Sequence, residues 1–157
     1  MKRVLILPTL VCAAQAQPVQ DASVAELVKQ FAPTATRGLR NLAPEKHQID
    51  LVINFDFDST KLQTSSQPLL EKLAEALVSE RLQALRYKVE GQTDVNGSVS
   101  YNEALSSRRA QAVLKFLQSK GVESGRLQAQ GKGFSELLNT AYPQAAENLR
   151  VRVSLID

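Results

Sequence analysis

The sequence predicts an α+β domain whose strands and helices follow in the order βαβαββ. Apolar and polar residues alternate with a period of two from Ile49 to Phe57, from Leu85 to Glu90 and from Leu149 to Leu155, the pattern of half-buried strands. Two stretches, 64–80 and 101–120, instead repeat their apolar residues at helical spacing. Gly, Asn and Pro residues punctuate the joins. At 157 residues, with 43% hydrophobic and 22% charged side chains, the chain suits one ordinary domain with a real core.

The N-terminus, MKRVLILPTLVCAAQAQ, combines two positive charges, an apolar run from Val4 to Ala14 and the small-x-small site Ala14-Gln15-Ala16. Residues 1–16 are therefore expected to be a secretory signal peptide. The run falls short of the ~20 residues that span a bilayer, so the mature chain is expected to hold no transmembrane segment. Val11 beside Cys12 argues against a lipidation site. Cleavage after Ala16 would remove the lone cysteine and with it any disulfide. Residues 17–48 carry Pro18, Pro33 and Pro44, and only Val24 to Phe31 shows a weak helical pattern. They read as a flexible leader, with docking of an envelope protein partner as a second use.

The folded domain is expected over 49–157. Its first strand presents Ile49, Leu51, Ile53, Phe55 and Phe57 on one face. Leu70, Leu73, Ala74 and Leu77 then stripe a helix, with Pro68 tolerated in its first turn. The strand 85–90 runs into Gly91, Asp94 and the turn pair Asn96-Gly97. Ser100 with Glu103 three residues on is a capping-box signature, which starts the next helix just before Tyr101. Gly121 ends that helix, 126–131 gives a third strand and the residues from Leu149 a fourth. Leu149 is in phase with Val151 and Val153, so it is expected in the core. The loop from Phe134 to Asn148 crosses one end of the sheet.

Arg109 falls in the middle of the apolar arc formed by Leu105, Ala112, Val113, Phe116 and Leu117. Leaving an inward-facing guanidinium without a partner costs about 3 to 5 kcal/mol, so it needs an anion. Asn102 lies on the same side near the helix start, where backbone N–H groups also favour negative charge. Two readings follow: an internal ion pair between Asp94 and Arg109, or a receptor for a small zwitterion. Arg108, off the edge of that arc, reads as a solvated neighbour.

Other chemistries find little support. Without Lys2 and Arg3 the chain has 17 basic and 16 acidic side chains, and no basic stripe is interleaved with aromatics, so nucleic-acid binding is not expected. The only histidine, His47, lies outside the domain, which removes the usual base of a hydrolase triad. Gly131-Lys132-Gly133 is too short to cradle a phosphate. No metal cluster or cofactor motif is evident. The best enzymatic rival is Asp56-Phe57-Asp58-Ser59-Thr60, which looks like the D-x-D-x-T motif of haloacid-dehalogenase-type phosphatases, with Asp56 as nucleophile and Asp58 as acid/base. The further acidic Mg²⁺ ligands are not evident.

The run T-D-x-x-G-S followed by Y-N-x-x-L-S-x-x-R-A, here Thr93–Ser98 and Tyr101–Ala110, resembles the signature of OmpA-like peptidoglycan-binding domains. Ile53 to Leu62, the turn Gly131–Gly133 and the closing Asn148–Val151 resemble the same family. The resemblance implies a two-layer α/β sandwich with a mixed four-stranded sheet. It further implies non-covalent, non-catalytic binding of peptidoglycan through the diaminopimelate of its stem peptide. The setting would be the periplasm, at the wall and the outer membrane. Carried over by position, Asp94 and Arg109 would grip diaminopimelate beside Asn102, with Thr93 and Arg150 as further binding residues; Asp58 and Ser59 are expected to shape the turn after the first strand, where Asp58 could also line the site. Two positions depart from the family: Gln92 stands where histidine is usual, and Leu149 replaces the first arginine of the closing motif.

Overall fold

The computed structural model describes residues 17–32 and 47–156. The expected signal peptide and the middle of the expected leader lie outside them. Four strands, β1 (Gln48–Leu51), β2 (Arg86–Gln92), β3 (Leu127–Gly131) and β4 (Arg150–Ile156), form one mixed sheet in the order β1-β4-β2-β3. Strand β4 is antiparallel to both β1 and β2, while β2 and β3 are parallel. Helices α1 (Val24–Phe31), α2 (Gln67–Val78) and α3 (Val99–Ser119) complete the α+β sandwich.

Register explains the two faces of the sheet. Leu51, Val151 and Gly91 share one rung, and Ile49, Val153 and Val89 the next, so the side chains of the five other than Gly91 point together into the apolar core. The alternate rungs carry Asp50, Arg152 and Glu90, then Arg150 and Gln92. Here Arg152 forks onto Asp50 at 2.7 and 3.1 Å and reaches Glu136 at 2.9 Å. The second face is thus ionic and is held to the loop that precedes β4.

Four expectations need correction. The first strand ends at Leu51 rather than Phe57, because β4 begins at Arg150 and offers no partner further on. Its alternation continues, however, since Ile53 and Phe55 still pack on the core while the chain folds back on itself. Asp56 N–H donates to Lys61 O and Gln63 N–H to Asn54 O, both at 3.0 Å, and Phe55 bridges Leu62. Leu149 is 37% exposed, since it lies beyond the last rung of the sheet. The α3 cap is Ser98, whose hydroxyl accepts from Tyr101 N–H at 3.2 Å, and not Ser100. Gly97, at φ 94°, completes the turn just before it.

The fourth concerns the leader. Residues 17–32 belong to the domain: Ser23 and Glu26 form a capping box that starts α1, and Leu27 and Phe31 are fully buried. Phe31 meets Tyr87 edge-on with ring centroids 5.3 Å apart. Val19 bridges Leu51, donating to Asp50 O at 2.7 Å and accepting from Val52 N–H at 2.9 Å. Elsewhere the boundaries hold to within a few residues: Pro68 sits in the first turn of α2, and Gly121, at φ 102°, follows the end of α3.

Because Phe31 fills the core, Phe31→Ala should cost about 3 to 5 kcal/mol in urea unfolding. An unchanged midpoint would return this segment to the role of a loose leader.

Candidate functional site

Two glycines set the position of α3. A Cβ on Gly91 would stand 2.2 Å from Ser106 O, and one on Gly131 would stand 2.5 Å from Ser107 N, so only bare backbone lets the helix press onto the ends of β2 and β3. The turn between β2 and α3 is built around that contact. Thr93 N–H donates to Gly133 O at 2.7 Å, and its hydroxyl donates to Asp94 O at 3.0 Å. Asn102 Nδ2 donates to Asn96 O at 2.7 Å and to Ser98 O at 3.1 Å, tying the turn to the helix. Asp94 is left at the turn before α3, where, among the described residues, its two oxygens accept only from Asn96, at 3.0 and 2.8 Å.

Arg109 approaches from the next turns of α3. Its Cζ lies 4.9 Å from the Phe55 ring centroid, and its Nε donates to Ser59 O at 3.1 Å. Its two terminal nitrogens meet no acceptor among the described residues. Burial holds this guanidinium below the ordinary arginine pKa, opposed by the charges of Tyr101, Asp58 and Asp94. Asp58, at φ 45°, ends the tip that carries Ser59, and it accepts the Tyr101 hydroxyl. That hydrogen bond raises the Tyr101 pKa, with lesser contributions from desolvation and from the charge of Asp58.

Asp94 and Arg109 form no ion pair with each other, nor with any other charge among the described residues. The internal-pair reading therefore fails. The Asp94 carboxylate lies near enough to act on the Arg109 guanidinium through its charge, and each keeps hydrogen-bonding capacity that no described residue uses.

The structure brings Asp94, Arg109 and Asp58 together, and it gives the other three predicted residues different places. Thr93 is 1% exposed and Asn102 3%, and both are committed to holding the turn. Arg150, 3% exposed, faces away: Gly91 points at α3, so its neighbour Gln92 and the cross-strand partner Arg150 point to the opposite side of the sheet. There Arg150 donates to Glu136 O at 2.9 Å and Asn148 O at 3.4 Å. Its Nε lies 3.2 Å from Asp50 Oδ2, close enough for ionic attraction but out of line for a hydrogen bond. Burial lowers its pKa, and Asp50 opposes that shift. Arg150 thus clamps the loop that precedes β4.

Sequence reasoning missed Tyr101, Phe55 and Ser59 as parts of the site. The position of Tyr101 in the first turn of the arginine-bearing helix was the available signal. Leu149, expected in the core, instead lines a small recess with Phe55, Ser106 and Arg109, whose floor also includes the Gln92 and Arg150 positions although the Arg150 side chain is bound on the other face. The loop from Phe134 to Asn148 also gains a role, since Pro143 O accepts from Val95 N–H at 3.4 Å and so braces the turn that bears Asp94. As for the phosphatase motif, Asp56 pairs with Lys61 at 3.9 Å and Asp58 holds Tyr101. Among the described residues no group of His, Cys, Asp and Glu side chains could hold a metal ion, and no helix is long and apolar enough to cross a membrane.

The profile of the OmpA family matches residues 54–150. Over 103 residues the chain is 36% identical to outer membrane protein A of Shimwellia blattae and 34% identical to that of Klebsiella pneumoniae. Each match covers 66% of this chain but only 42% and 29% of the relatives, so the chain spans less than half of their length. The peptidoglycan-associated lipoprotein from Burkholderia pseudomallei superposes with a TM-score of 0.56 at 31% identity, over 66% of this chain and 86% of that one. The cell wall anchor of the T6SS from Pseudomonas aeruginosa does so with a TM-score of 0.52 at 28% identity, over 65% and 73%. The periplasmic domain of Helicobacter pylori MotB, at 19% identity and a TM-score of 0.61 over 79% and 85%, shares the fold. The chain belongs to the OmpA family.

Since α3 rests directly on Gly91, Gly91→Ala should lift the helix and cost about 3 kcal/mol in urea unfolding. A variant as stable as the parent would mean that α3 does not depend on this contact.

Proposed function

We propose that this member of the OmpA family is a non-catalytic domain of the cell envelope that holds peptidoglycan without covalent attachment, by the diaminopimelate of its stem peptide. The observation that carries the reading is that Asp94 and Arg109, opposite in charge and near enough for one to act on the other, are not paired with each other. Diaminopimelate ends in an ammonium beside a carboxylate. Asp94 would take the first and the free terminal nitrogens of Arg109 the second, as charge-assisted hydrogen bonds. Asp58, held by Tyr101, adds negative charge on the ammonium side, while Thr93 and Asn102 keep the turn in place. Arg150 acts at a distance, through the loop that braces that turn.

Membership of a family that includes outer membrane proteins, and likeness to a peptidoglycan-associated lipoprotein and a cell wall anchor, support a wall ligand and a periplasmic setting. Residues 1–16 would then be the secretory signal, and the domain would run from residue 17, α1 included. The core packing of Leu27 and Phe31 leaves the apolar side of α1 unavailable to a partner protein, so the adaptor reading gains no support from the described part of that segment. For about 13 heavy atoms at ~0.3 kcal/mol each, free diaminopimelate would bind only near millimolar. Retention on the wall would therefore rely on many such contacts.

Purified residues 17–157 should co-sediment with diaminopimelate-type sacculi and not with lysine-type wall. Asp94→Ala and Arg109→Ala should each abolish this without unfolding the domain. A folded parent that stays in the supernatant would sink the reading.

A further inference from the structure

Beside the mouth, the exposed side of α3 forms an open groove of about 370 Å³ against the tip of residues 56–60, lined by Thr60, Ser107, Arg108, Gln111, Ala112 and Lys115. Two of its walls are cationic. Arg108 and Lys115 are seven residues apart, so they stand on one stripe of the helix two turns from each other, with Gln111 between them. Neither pairs with a carboxylate among the described residues, although every lysine and arginine of the opposite sheet face from β1 to β4 that carries an ion pair there does so with Asp50, Glu90 or Glu136.

The groove adjoins the site along the chain. Thr60 follows Ser59, whose carbonyl holds Arg109, and Arg108 precedes Arg109 on the helix. The charge of Arg108 is also felt at the Tyr101 hydroxyl, on the rim of the mouth. Lys115 lies six residues beyond Arg109, or about 9 Å along the helix axis at 1.5 Å per residue. Three extended peptide residues reach roughly 10 Å. A stem peptide anchored by its diaminopimelate at Arg109 can therefore lay its neighbouring residues along this stripe.

We propose that the Arg108–Lys115 groove is a second anion subsite, which takes the free carboxylate of the acidic residue adjoining diaminopimelate in the same stem peptide. The inference rests on the diaminopimelate reading. Its chemistry is complementary: two unpaired cations and the Gln111 amide face a carboxylate that the Asp94–Arg109 mouth leaves unused. Arg108 then becomes a binding residue, not merely a solvated neighbour. Because both cations are exposed, the gain is modest, about threefold to tenfold, and screened by salt.

The test is an NMR titration of residues 17–157 with three probes: free diaminopimelate, γ-D-glutamyl-diaminopimelate, and that dipeptide with its glutamyl carboxylate amidated. The acidic dipeptide should bind about threefold to tenfold more tightly than the free amino acid, and the amidated one should lose the gain. Arg108→Gln with Lys115→Gln should erase the gain while leaving free diaminopimelate unaffected, and raising the salt should shrink it. A gain that survives the double substitution, or is kept by the amide, would overturn the subsite while leaving the mouth intact. Failure of the parent to bind free diaminopimelate at all would overturn the mouth, and the subsite with it. Glutamines on an exposed helix face leave the fold in place, and an unchanged spectrum of the unliganded variant checks this.

Discussion

The close contact between α3 and the ends of β2 and β3 is the constraint on which the rest of the site depends. Backbone meets backbone at Gly91 and Ser106, and at Gly131 and Ser107, with no side chain between them. A helix held off the strands by bulky side chains would carry Arg109 away from the turn. With glycine at both positions, the N-terminal turns of α3 come down beside Asp94, and the Asn102 amide can span from the helix to Asn96 O. The charges at the mouth are thus placed by an absence of side chains two strands wide.

The two faces of the sheet divide the work. One packs the core and orients α3. The other holds a network in which Arg150, Arg152, Asp50, Glu136, Glu90 and Lys132 answer one another's charges. Substituting one member of such a partly buried network costs more than the pair is worth on the surface, because it strands the opposite charge. Asn148, fully buried, reinforces the same loop by donating to the carbonyls of Asn139, Tyr142 and Pro143 while its own oxygen accepts from Asn139 N–H. Residues far from the mouth in sequence therefore fix the loop whose Pro143 braces Val95, and through it the position of Asp94.

Much of this was legible in the sequence. Periodicity located the strands and both long helices, because each buries one continuous face, and Gly121 marked the end of α3. Arg109 could be singled out as a candidate because a guanidinium amid apolar neighbours is rare enough to demand an explanation, and Asp94 because it lies on the turn before the same helix. What escaped were features that depend on tertiary neighbours. Leu149 keeps the phase of a core residue but stands past the end of the pairing. Arg150 sits one residue further on, and so on the other side of the sheet. Spacing along the chain gives no sign of which strand end lacks a neighbour. The first helix was a different failure: Ser23 and Glu26 carry the same capping signature that was sought in α3, where Ser98 turned out to hold the end instead.

The attachment of residues 17–32 also settles the fate of one border of the sheet. Strand β1 lies outermost, so its outward-pointing amide and carbonyl groups would offer a template for strand addition by another chain. Each is taken. Gln48 O accepts from the Gln30 side chain at 3.0 Å, Asp50 O accepts from Val19 N–H, and Val52 N–H donates back to Val19 O. The chain thus blunts this border with its own N-terminal segment, which leaves a neighbouring molecule fewer backbone groups on which to add a strand.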